Sequence, residues 1–238
     1  MRHLKLLLVF SLVLYFSCEK EFNVVFSEIQ ISSQNDDIVQ INIPIAEGNN
    51  TISNKINSGI EHNIIASIQI GESDNIESKT ITESINAFVK EYETLQQEFP
   101  ESPQVWEAQI DGEILYQSND IISVSITSYT NTGGAHGILK ISFLNFNAKN
   151  GNLIPNKALF KDLNAFKKLA EPYYIAAIED KEILINKDQF NLPANIAYTE
   201  EGIVFLYNTY EIAAYSQGVI EFKVPFNEAQ PYLVFNNF

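Results

Sequence analysis

The residue best suited to moving protons is His136, in the stretch Ser128-Tyr129-Thr130-Asn131-Thr132-Gly133-Gly134-Ala135-His136-Gly137. A general base needs a nucleophile and an orienting carboxylate. The hydroxyls of Ser128 and Thr130 are neighbours in sequence only. The alternative is a turn histidine whose ring bonds backbone and fixes the loop. Zinc needs several nitrogen or sulfur ligands, but His62 and His136 stand far apart and no His-Glu-x-x-His spacing occurs. The oxygen-bearing pairs Asn119-Asp120 and Asp36-Asp37 are too short for a calcium loop. No metal and no cofactor are expected. There is no Gly-x-Ser-x-Gly, and the one cysteine is Cys18. With 30 acids, some pair of carboxylates at glycosidase spacing is inevitable, so it carries no signal. Tyr207, Tyr210 and Tyr215 cluster around Glu211. Such a group suits sugar stacking or a protein hot spot, or else closes the core beneath a loop.

These residues need elements to hold them. Partial alternation marks a strand over 22–32, and Val39, Ile41, Ile43 and Ile45 mark another, with Pro44 suggesting a sheet edge or exit. Ile52, Ile56, Ile60, Ile64 and Ile68 then recur every four residues, predicting a helix over 50–68, with Asn49 or Asn50 as its cap and Gly59 weakening it. A second helix, to Glu98, carries the stripe Ile81, Ile85, Phe88, Val89, Tyr92, Leu95 and Phe99, capped by Ser78 or Thr82 and ended by Pro100 and Pro103. Three strands follow, over 105–116 (bent at Asp111-Gly112), 121–128 and 138–146, as an antiparallel meander. Residues 157–179 read as a helix that Pro172 must kink or split. Short strands over 196–199, 203–207 and 219–224 and a short helix over 225–232 complete the chain. The expected class is α+β, with antiparallel sheets packed against two to three helices.

Composition narrows the function. The chain has 238 residues and a net charge of −15, from 30 acidic and 15 basic side chains, so it would repel nucleic acid. Sixteen Phe and eleven Tyr exclude a wholly disordered chain. Met1 to Lys5 is basic, residues 6–16 are apolar, and Ser17-Cys18 precedes Glu19-Lys20-Glu21. That order predicts a secretory signal over 1–17, with Cys18 lipidated as the first mature residue. Cleavage there removes Arg2 and Lys5 and no acid, taking the charge from −15 to −17. The expected body is a domain anchored by lipid in the cell envelope, touching the membrane through that anchor alone. Residues 18–27 would be the lipidated cysteine and tether, 28–125 an N-terminal part and 126–238 a C-terminal part.

Three glycines within Gly133–Gly137 imply positive φ or close backbone approach. The order Tyr129…Gly133-Gly134-Ala135-His136-Gly137, then Asn145-Phe146-Asn147, Gly151 and Leu159-Phe160, resembles a known family. The match continues with Gly202-Ile203-Val204-Phe205, Tyr210-Glu211-Ile212-Ala213, Tyr215, Gly218, and Val224-Pro225-Phe226 to Pro231-Tyr232-Leu233. This is similar to the extracytoplasmic domain that precedes the catalytic domain of PdaC-type peptidoglycan deacetylases, and to the outer portion of lysozyme-sensing anti-sigma-V factors. The family often has Asp where this chain has Asn147, and the step from Tyr129 to Gly133 is longer here.

The resemblance spans about 29–233 and includes neither a deacetylase catalytic domain nor a sigma-binding segment, so neither activity is expected whole. It implies a non-catalytic domain recognising a wall glycan or a cationic lysozyme-like protein. The alternative is a hydrolase or deacetylase-like enzyme acting on peptidoglycan through His136. The expected binding residues are Tyr129, Gly133, Gly134, His136, Tyr207, Tyr210, Glu211 and Tyr215, with Cys18 for lipidation.

Overall fold

In the computed structural model, which describes residues 24–34, 38–48, 50–70, 78–101, 104–178, 181–187 and 189–236, the evenly spaced isoleucines bury one face of helix α1 (Asn50–Ile68). Ile56, Ile60, Ile64 and Ile68 disappear into the core, and Ile52 packs at its margin. Helix α2 (Ile81–Glu98) buries Ile81, Ile85 and Phe88 beside them. Its N-cap is Thr80, not Ser78 or Thr82, because the Thr80 hydroxyl accepts from the Glu83 N–H at 3.1 Å while the Glu83 carboxylate accepts from Lys79 N. Phe99 leaves the apolar stripe: the helix stops at Glu98, the backbone turns at Phe99, and its ring is exposed.

Both helices cover one face of a five-stranded sheet. The strands are β1 (Val24–Ser32), β2 (Val39–Gly48), β3 (Glu107–Gln117), β4 (Ile121–Asn131) and β5 (Ile138–Asn147), in that spatial order. β3, β4 and β5 form the expected meander. β2 and β3 are parallel, so the sheet is mixed rather than wholly antiparallel. The long path through α1 and α2 allows this, since a parallel pair needs a crossover. The parallel pairing runs from Val39↔Ala108 only to Asn42↔Asp111. Pro44 has no N–H for the next rung, and the strands separate there. A Cβ at Gly112 would lie 2.7 Å from Pro44 Cδ, which explains glycine at that point. The register shift in β3 falls between Ile114 and Tyr116, not at Asp111-Gly112.

The second half builds a three-stranded antiparallel sheet, β6 (Asn195–Tyr198), β7 (Gly202–Tyr207) and β8 (Ile220–Pro225). One face packs on helix α3 (Leu163–Ala177) and the short helix α4 (Phe226–Ala229). The helix expected over 157–179 is broken near residue 160 instead of at Pro172. A 3-10 turn (Asn156–Leu159) comes first, and Asp162 restarts the chain as α3 by accepting from Asn164 N and Ala165 N at 3.0 Å. Pro172 lies within α3 on its exposed face, where the missing N–H is least costly.

The layers are therefore helices, large sheet, small sheet, helix. The division expected at 125/126 falls inside β4. The expectations for Cys18, residues 1–17, the start of the tether, Asp36-Asp37, Asn49 and Pro103 lie outside the described residues.

Gly59 sits in the middle of α1, against propensity. A Cβ there would be 2.7 Å from Cε1 of Phe146, which is fully buried. Gly59→Ala gains about 1 kcal/mol of helix propensity and incurs about 2 kcal/mol of overpacking. A net loss of about 1 kcal/mol is expected in urea denaturation; an unchanged or raised midpoint would show that Phe146 yields freely.

Candidate functional site

The chain between β4 and β5 turns through Gly133 and Gly134 at φ +88° and +105°, conformations that glycine alone adopts readily. Gly137 serves a different need. A Cβ there would lie 2.4 Å from the Tyr129 hydroxyl, so the tyrosine ring lies directly on the backbone. The two meanings of a glycine-rich turn, positive φ and close approach, are thus both present.

This turn meets the loop between β7 and β8. The His136 ring stacks on Tyr215 with centroids 3.9 Å apart and planes 18° from parallel. His136 Nδ1–H donates to the Gly137 carbonyl at 2.9 Å, and the Tyr215 hydroxyl donates to the same oxygen at 3.2 Å. Tyr210 follows at 5.6 Å from Tyr215. Tyr129, Gly133, Gly134, His136, Tyr210 and Tyr215 therefore gather at one end of the molecule.

Tyr207 is not part of this surface. It is 2% exposed, its hydroxyl donates to the Asn191 carbonyl at 2.5 Å, and burial keeps that hydroxyl protonated well above its ordinary range. Its ring closes the core beneath the loop, the reading opposed to an exposed binding tyrosine. Glu211 acts on the loop itself. Its carboxylate accepts from Asn208 N at 2.9 Å and from Ala194 N at 3.2 Å. Asn208 in turn clamps the edge of β5, accepting from Ile141 N and donating to Ile141 O, both at 2.8 Å. Held between these anchors, Tyr210 takes φ +68°, the one non-glycine residue so placed among those described. Such a conformation costs about 1–2 kcal/mol. Its ring is 61% exposed.

Two apolar residues that sequence reading passed over border the turn. Ile138, 59% exposed, pairs with Thr130 at the mouth of the hairpin. Val105, 67% exposed, follows Gln104, whose side chain fills the space over Gly133. Their signal is weak, because single apolar residues beside a turn are ordinary.

For catalysis the arrangement offers little. The His136 ring is engaged with a backbone carbonyl and a tyrosine face, and among the described residues no carboxylate is bonded to it. Ser128 donates its hydroxyl to the Lys140 carbonyl. Among the described residues no three His, Cys, Asp or Glu side chains gather as a metal site.

A buried polar seam joins the two sheets. Asn145 Oδ1 accepts from the Ser123 hydroxyl at 2.6 Å, Asn145 Nδ2 donates to the Ile196 carbonyl at 2.7 Å, and Tyr198 N donates to Ser123 Oγ at 3.1 Å. Asn195 accepts from Phe143 N at 3.0 Å. The free edge of β5 is thus occupied by asparagine side chains. Asn147, where the family often has Asp, accepts as a carboxylate would. Its Oδ1 takes the Lys149 N–H at 2.9 Å and turns the chain.

Residues 31–139 match the family model described as Deacetylase PdaC, and residues 152–227 match that of the Protein of unknown function DUF3298. The first stretch of the chain is thus similar to a PdaC-type region and the second to a DUF3298 region. The turn at 129–137 belongs to the PdaC-type region and the loop at 208–218 to the DUF3298 region, so the aromatic end exists only where the two meet. Two solved structures share the fold. A DUF3298 family member from Bacteroides fragilis is 20% identical, with TM-score 0.63 over 90% of this chain and 94% of its own. A DUF3298 family protein from Pseudomonas aeruginosa is 18% identical, with TM-score 0.60 and the same coverage of each chain. No curated protein matches the chain.

Proposed function

We propose that this chain is a non-catalytic recognition domain of the cell envelope, fastened by lipid at Cys18, which grips a cationic lysozyme-like protein through its aromatic end. The observation that carries the reading is the coupling of the PdaC-type turn to the DUF3298 loop by the His136–Tyr215 stack, with Tyr210 displayed beside it. Exposed aromatic and aliphatic side chains around a rigid centre suit a protein hot spot. The net charge of −15 would steer a cationic partner over long range. Among the described residues no helix is long and apolar enough to cross a membrane; the proposed attachment at Cys18 rests on the basic, apolar and Ser17-Cys18 order of the N-terminus. Mass spectrometry of the protein extracted from membranes checks the modified cysteine.

The test of recognition is a calorimetric titration with lysozyme at low and moderate salt. Binding that weakens as salt rises supports the proposal; no binding at either salt overturns it. The second reading, a wall glycan, rests on the same rings, since stacked tyrosine and histidine faces suit a sugar. Acetylated chitooligosaccharide in place of lysozyme distinguishes the two, and its intact recovery after incubation excludes the hydrolase reading.

A further inference from the structure

The two edges of the five-stranded sheet end differently. Along β5 the edge is occupied: Asn208 bonds both backbone groups of Ile141, and Asn195 accepts from Phe143 N. Along β1 no such cover is present among the described residues, and β2 is the strand's one neighbour in the sheet.

The direction of the bare groups follows from one bond. The Ser33 N–H donates to the Val39 carbonyl at 3.0 Å, next to the rung Ser32↔Gln40. Bonded and non-bonded pairs alternate in an antiparallel ladder, and the register from Ser32↔Gln40 to Val24↔Gly48 is unshifted. Ile29 and Ile31 therefore turn their N–H and C=O to β2, whereas Glu28, Gln30 and Ser32 turn theirs to the open side.

Sheet edges are ordinarily blunted by lysine, proline, a bulge or a short strand. β1 is nine residues long, without lysine, proline or a shifted rung. Its two faces differ. Glu28, Gln30 and Ser32 are exposed on one, while Ile29 and Ile31 lie half-buried at the margin of the core on the other. An added strand would continue both faces. Charge selects which strand. Residues 24–48 carry Glu28, Asp36, Asp37 and Glu47 and no lysine or arginine.

We propose that the open edge of β1 takes up, as an added strand, an extended segment of a partner protein that alternates basic and apolar residues. Its backbone pairs with Glu28, Gln30 and Ser32, its apolar side chains cover Ile29 and Ile31, and a basic side chain meets Glu28. A second copy of this chain is disfavoured, because edge-to-edge pairing would bring two acidic hairpins together. The edge is separate from the aromatic end and does not depend on what binds there.

The test is a blocked peptide alternating lysine and valine, as long as β1, titrated into the protein and followed by backbone amide NMR. The expected result is a shift and slowed exchange of the Glu28, Gln30 and Ser32 amides. The same peptide with every amide N-methylated keeps its charge and loses its donors, and should bind about tenfold more weakly. Glu28→Lys, at an exposed position, should weaken the lysine–valine peptide about tenfold and favour a glutamate–valine peptide in its place. Gln30→Pro removes an N–H that faces outward and leaves the β1–β2 ladder intact, so the melting temperature should hold while peptide binding is lost. Unshifted amides over 28–32 at millimolar peptide, or equal binding of the N-methylated peptide, would overturn the proposal. So would a dimer of the protein alone that Gln30→Pro dissociates, which would assign the edge to a second copy.

Discussion

Asn145→Ala is expected to lower the stability of the fold by about 3–4 kcal/mol and its melting temperature by roughly 10 °C. Asn145 is 1% exposed and is bonded on both sides of its amide. Its removal leaves the Ser123 O–H without its acceptor and the Ile196 carbonyl without the amide donor, in a region water does not reach. Each stranded group costs about 1–3 kcal/mol, far more than the net worth of a made bond. The loss falls on the seam that holds β6 against β4 and β5, so it should also loosen the junction of the two regions. Thermal unfolding followed by circular dichroism checks the figure. A loss under about 0.5 kcal/mol would mean that the seam does not couple the sheets.

Tyr210→Gly is expected to move stability and binding in opposite directions. Glycine accepts φ +68° without strain, so the variant should gain about 0.5–1 kcal/mol. Losing the exposed ring should cost about 2 kcal/mol of binding to lysozyme, roughly thirtyfold in affinity. Glu211→Gln separates the ring from its support. With one carboxylate oxygen replaced by an amide nitrogen, it can no longer accept from both Asn208 N and Ala194 N, so binding should fall although every ring is still present. If Tyr210→Gly binds as tightly as the parent, the strained tyrosine is not a contact residue.

The local elements were largely legible in the sequence. Isoleucine every fourth residue defines α1 to the residue, because a buried stripe on a helix has one geometry. The glycine-rich turn was legible too, since few residues tolerate its backbone. What escaped was set by contacts distant along the chain. The parallel pairing of β2 with β3 depends on two helices packing across the sheet, which no local period records. Asn145, Asn195 and Asn208 look like ordinary polar residues until a second sheet is laid against β5. Tyr207 reads like Tyr210 in sequence, and only the Asn191 carbonyl waiting inside the core separates their roles.

The most direct test follows amide hydrogen exchange of the domain with and without saturating lysozyme. The account predicts added protection in two segments at once, 129–138 and 208–218, one from each region. Protection confined to other surfaces, or exchange unchanged in both segments, would contradict it.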